Sequence, residues 1–279
     1  MQGDGHFMCD NEFIKLLARR NDADLTLAAL EIARDAYPTL DFEPTLNWIE
    51  DHGANLAGPV AKARTERDAL EMLKHELSDS CGIFGELSAY QNPDSSYLNR
   101  VIETRRGLPI TLSILYEAVG RSAGVILRGV SSPQHFLLRS DTSEGPLYID
   151  PFSHGRIMTR EETIHFLQEM TQIPVDQIKQ SLKPVGTRTI IIRMLNNLKR
   201  LHVAQERWEA AWIVQHRLAA LLPGNYSEQR DLALVALKAG RCGQAISLFE
   251  SCLHACPKQE VKLLKQHLEH ARVQLSRWN

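Results

Sequence analysis

The stretch "RRGLPITLSILYEAVGRSAG", residues 105–124, decides how the rest of the chain is read. Gly107-Leu108-Pro109 opens it, and Ile110, Ile114, Ala118 and Val119 then recur at helical spacing, which predicts a buried helix. Proline suits the first helical position, because its φ is already helical and the N–H it lacks would have no partner there. Gly124 stands where a left-handed cap would end the helix.

Downstream the period shortens. "VILRGV", "HFLLRS" and "PLYIDPF" are short β-branched or alternating runs, the last two separated by a turn-like Asp141-Thr-Ser-Glu-Gly. They predict three short strands between Val125 and Met158. Thr159, three residues before Glu162, opens another helix as a capping box. Upstream, residues 10–80 read as all-helical. Phe13, Leu16 and Leu17 share a helix face, Asp24 caps a second helix, a third covers Leu46 to Leu56, and a charged one runs from Ala61 to Leu77. Between these and the quoted stretch lies "SDSCGIFGELSAYQNPDSSYLN", a long irregular segment rich in Ser, Gly, Asn and Pro. The fold class expected is α+β: a helical N-terminal region with a small antiparallel sheet, then an all-α region.

The all-α region repeats itself. Setting 207–223, RWEAAWIVQHRLAALLP, against 241–257, RCGQAISLFESCLHACP, places Arg207 on Arg241, Ala211 on Ala245, Val214 on Leu248 and Pro223 on Pro257. An offset of 34 residues, a small alanine in the second helix and a terminal proline resemble the tetratricopeptide repeat. Helices over 191–205 and 226–239 precede the two segments, and an amphipathic helix over Val261–Trp278 follows. Trp208 and Trp212, one turn apart, read as packing anchors. Domains are expected at 1–183 and 184–279.

Composition excludes several classes. With 32 basic and 34 acidic residues the formal net charge is -2, so nucleic acid is not an expected partner. No apolar run approaches the ~20 residues that span a bilayer, and no membrane association is expected. The N-terminal MQGDGHFMCDNEF lacks a cationic-then-apolar signal pattern. Cys9, Cys81, Cys242, Cys252 and Cys256 are odd in number and show no CxxC spacing, which fits reduced thiols in a cytoplasmic protein. No metal or cofactor is expected. The oligomeric state is not read from the sequence.

Papain-like and transglutaminase-like enzymes place a cysteine at the N-terminus of a buried helix, a histidine on a following strand and an Asp or Asn on the next. Pro109, His135 and Asp150 follow that order here, with proline in the place of the thiol. Residues 90–160, with "YQNPDSSYLNRVIETRRGLPITLSILY", "HFLL" and "IDPFSHGRIMT", resemble the SirB-type bacterial family, a transglutaminase-like domain followed by tetratricopeptide repeats. The resemblance implies a cytoplasmic bacterial protein and a family pattern in which proline also fills the cysteine position. One departure is Pro133-Gln134-His135, where a glycine would be expected before the histidine.

Proline has no nucleophilic atom, so the thiol mechanism is excluded at this position. Ser113, one turn further along, and Cys81, in the irregular segment, are the alternative nucleophiles for His135 and Asp150. Their structural readings are a hydroxyl bonded back to the helix and a small buried hydrophobe. A metal held by His135, Asp150 and His154 matches no recognised spacing. Tyr97, Asn99, Arg105 and Arg106 either line a polar cleft with His135 or serve as caps and salt bridges. Two functions follow: a non-catalytic module binding a protein or peptide partner, and a hydrolase or peptidase-like enzyme with altered chemistry.

Overall fold

A computed structural model describes residues 9–276. Helices α1 (Asn11–Leu17), α2 (Leu25–Arg34), α3 (Glu43–Ala61), α4 (Glu66–Lys74) and α5 (Leu98–Thr104) precede α6, Pro109–Ala123. Their boundaries follow local chemistry. Asp24 caps α2 by accepting the Leu27 N–H. A reciprocal Thr65–Asp68 capping box starts α4 later than the apolar spacing alone suggests. The charged helix then continues as a π-helical turn over His75–Ser80. Within the irregular segment, residues 87–91 and 93–96 form 3-10 turns.

Helix α6 is nearly wholly buried; only Glu117, Arg121 and Ser122 escape full burial. Pro109 is its first residue, Leu108 is the N-cap, and Gly124 closes it in the left-handed region at φ 86°. The helix packs closely on α3. A Cβ added at Gly53 of α3 would stand 2.3 Å from the Ser122 Cβ, so the contact requires glycine.

The sheet is an antiparallel meander in the order β1 (Arg128–Val130), β2 (Leu137–Thr142), β3 (Gly145–Asp150), β4 (Arg156–Met158). Leu138 pairs with Gly129 on one side and Ile149 on the other, and Ile149 pairs with Ile157. Three of these strands were expected; β4, three residues long, is additional. Val130, Leu137, Tyr148 and Met158 share a core with Leu167 of α7 (Arg160–Thr171) and Ile178 of α8 (Val175–Ser181). Helix α6 packs on β1 and β2. The Thr159–Glu162 capping box forms as expected.

The chain divides into two compact units, one through Met194 and one from Leu195. Helix α9 (Thr187–Ala204) runs through the division and is followed by α10 (Trp208–Leu221), α11 (Tyr226–Lys238), α12 (Cys242–Leu253) and α13 (Val261–Ser276). The repeat extends to the backbone. Arg207 and Arg241 cap α10 and α12 with φ of -83° and -84°. The residues before them, Glu206 and Gly240, are both left-handed, at 54° and 73°. Ala211 and Ala245 are each fully buried in one core with Trp212 and Phe249. Trp278, expected to end the last helix, lies outside the described residues.

Candidate functional site

Asp150 ends β3 and stands at 0% exposure. Its Oδ1 accepts the N–H groups of Phe152 (3.0 Å) and Ser153 (3.3 Å), an Asx-type turn that bends the chain toward β4. His135, 4% exposed, brings Nε2 to 2.9 Å from the same oxygen. The two atoms meet as a close ion-pair contact, and His135 Nε2 makes no hydrogen bond. The ring meets Phe152 and Phe166 edge-on, at centroid distances of 6.1 and 5.8 Å. The histidine and carboxylate are therefore in contact, although His135 stands two residues before β2 rather than on the strand as expected, with Phe152 and Phe166 beside the ring.

The turn carrying His135 is held by a residue the sequence reading did not single out. Arg193 of α9 donates from Nη1 to Ser131 Oγ and Ser132 O, and from Nη2 to His135 O, each at 2.7 Å. Ser132 Oγ donates to His135 O as well, at 2.8 Å. Gln134, where a glycine was expected, sits in the left-handed region at φ 55°. The position thus keeps the backbone conformation that glycine takes freely, with the flanking carbonyls clamped from both sides.

Other expected site residues fall in two groups. Arg105, itself left-handed at φ 61°, donates to the Cys81 carbonyl, and Arg106 donates to Gly82 O at 2.9 Å. The Arg106 guanidinium lies 3.7 Å from the Phe84 ring centroid, and His154 also stacks on Phe84, at 4.1 Å. These contacts tie the segment over residues 81–86 to the entrance of α6. Tyr97 is buried edge-on to Tyr37, and buried Asn99 has no hydrogen bond to Oδ1. Ser113 is 1% exposed and its Oγ bonds to nothing, rather than back to the helix as expected. Cys81 Sγ lies 3.8 Å from His52 Nδ1, and burial and the Glu76 charge push the thiol up.

The second unit contains a cleft of about 540 Å³. Val203, Trp208, Leu234 and Leu237 give it apolar walls, and Lys199, Asp231 and Lys238 line it with charge. Lys199 bonds Asp231 Oδ2 at 2.7 Å and Glu228 Oε2 at 3.1 Å. Of the two tryptophans read as anchors, Trp212 is buried in the core while Trp208 is half-buried and faces this cleft.

Residues 45–196 match the transglutaminase-like superfamily. The chain belongs to the transglutaminase-like superfamily. Residues 198–274 match the tetratricopeptide repeat. Among its relatives, a UPF0162 protein of Xylella fastidiosa strain Temecula1 is 32% identical over 262 residues, covering 90% of this chain and 92% of the relative. A UPF0162 protein of Vibrio cholerae serotype O1 is 28% identical over 92% of this chain and 93% of its own length. The human F-box only protein 21 is 27% identical over 193 residues, 64% of this chain and 30% of that protein. No solved structure matches the chain. Among the described residues, no helix is long and apolar enough to cross a membrane.

Proposed function

We propose that this chain is a non-catalytic member of its superfamily, a cytoplasmic binding or regulatory module that engages a protein or peptide partner. The observation that carries the reading is Pro109 as first residue of the buried helix α6. The superfamily's thiol chemistry needs a nucleophile at that helix start, and an imide ring cannot form an acyl intermediate. His135 and Asp150 then persist as a vestigial pair. Asp150 has a structural task that survives loss of catalysis, since it holds the amides of Phe152 and Ser153. The cleft walled by Trp208 and Leu234 supports the binding half of the proposal: tetratricopeptide units present such surfaces to peptides. An apolar side chain of the partner would fill the cleft, and the Lys199–Asp231 side would meet its backbone or charge.

The competing reading is a hydrolase or peptidase-like enzyme using Ser113 or Cys81. It has one supporting observation, the unbonded Ser113 hydroxyl within α6. Against it, that hydroxyl is only 1% exposed and offers no approach to a substrate. Profiling the purified protein with thiol- and serine-directed electrophiles separates the two. The proposal predicts no labelling that depends on His135. Labelling of Ser113 or Cys81 that disappears in His135→Ala would overturn it.

A further inference from the structure

From side chains outside the His135–Asp150 pair, we infer that His52, Glu76 and Cys81 form a three-ligand site for a zinc ion. His52 comes from α3, while Glu76 and Cys81 come from the π-helical turn and its C-cap. His52 Nδ1 is 2.6 Å from Glu76 Oε1 and 3.8 Å from Cys81 Sγ, and the three ligand-type atoms all lie within 4.8 Å of one another. Among the described residues this is the one group of three such side chains so close together.

Local geometry explains the convergence. Residues five apart on an α-helix point about 140° away from each other, so Glu76 and Cys81 could not share a face in regular helix. Here the Cys81 N–H donates to Glu76 O at 2.9 Å, an i→i+5 closure. The wider turn carries both side chains round toward His52. Such π-helical insertions recur at functional sites. Trp48 lies against the His52 ring at 4.0 Å, tilted by 38°, and Arg105 donates to the Cys81 carbonyl.

The donor set and spacing suit zinc. A tetrahedral ion with ordinary Zn–N, Zn–O and Zn–S bonds needs edges of about 3.4 Å between N and O and about 3.6 Å from sulfur to either. The sulfur–nitrogen separation already fits, the His52–Glu76 contact opens by under an ångström to admit the ion, and the sulfur–carboxylate separation, within 4.8 Å, is set by rotation of the Glu76 side chain. Imidazole, carboxylate and thiolate together favour zinc over the all-oxygen preferences of magnesium and calcium. The fourth position is left for water or a ligand from a partner. Binding displaces the thiol proton of Cys81, which becomes the thiolate ligand.

The test uses the full-length protein, reduced and stripped with chelator, titrated with Co²⁺ alone and then with Zn²⁺. The expected result is one equivalent of tetrahedral cobalt with a near-ultraviolet thiolate-to-metal charge-transfer band, bleached by zinc. Cys81→Ser abolishes the band, whereas Cys252→Ser and Cys256→Ser leave it intact. His52→Ala and Glu76→Gln, each checked for native circular dichroism, weaken binding by roughly tenfold or more, since even outer residues of metal sites have effects of that size. Absence of a stoichiometric band in the wild-type protein, or a band that survives in folded His52→Ala and Glu76→Gln, overturns the inference. Because the readout is metal binding alone, its failure leaves the partner-binding proposal standing, and the reverse also holds.

Discussion

Glu117 sits on α6, and its carboxylate accepts the N–H of Gly129 in β1. Burial pushes its pKa from 4.5 up to about 7, with Asp24 adding to the rise and Arg121 opposing it. Below pH 4.5 the group is protonated in both folded and unfolded chains and has no effect on stability. Between 4.5 and 7 the unfolded chain ionises while the folded one holds its proton, so stability falls as pH rises. Above 7 both are ionised and the penalty is constant, at about 3 kcal/mol from 1.36 kcal/mol per pKa unit. Most of that loss, about 2.5 kcal/mol, falls between pH 5 and pH 8. Glu117→Gln keeps an oxygen for the Gly129 amide and has no charge to bury. Urea midpoints measured across this range are therefore expected to coincide at pH 4.5 and to diverge in favour of the variant by pH 8. A variant that tracks the wild-type protein at every pH would refute the argument.

Three further outcomes are expected. His202, buried in the second unit beside Arg207, has its pKa pressed down to about 4, so the unfolded chain takes up a proton first as pH falls below 6.5. About 3 kcal/mol of stability is lost by pH 4, and His202→Gln should remove that acid sensitivity in pH-dependent unfolding. Gln134→Gly relieves a left-handed residue and is expected to raise stability by about 1 kcal/mol in urea denaturation, provided the Arg193 clamp is intact. Gly53→Ala drives a methyl into Ser122 and is expected to lower stability by about 1–3 kcal/mol, a loss that Ser122→Gly would partly restore.

What the sequence disclosed was what depends on neighbours along the chain. Gly124, the Thr159–Glu162 box and the Asp24 cap are each written within four residues, and all three form. The 34-residue period is equally local in origin, since each unit repeats one caps-and-core pattern down to the left-handed residues 206 and 240. Strand β4 escaped notice because three residues are too few to show an alternation. The π-helical turn escaped because the apolar spacing of α4 runs into it without a break, and only the hydrogen-bond closure differs. Gln134 is instructive: a side chain is written where the backbone demands glycine's conformation, and the compensation comes from Arg193, 58 residues from His135. The His52–Glu76–Cys81 group likewise joins residues 24 and 29 positions apart, across two elements whose meeting no local pattern announces.

The proposed loss of catalysis requires that Pro109 occupy the seat of the superfamily's thiol and face His135 and Asp150. Pro109→Cys tests it directly, by the pH dependence of alkylation of the new thiol. With that placement, a cysteine at the start of α6 is predicted to ionise well below the ordinary thiol value of about 8.5 and to react quickly at neutral pH, both effects fading in Pro109→Cys/His135→Ala. A sluggish thiol of ordinary pKa, indifferent to the loss of His135, would contradict the account.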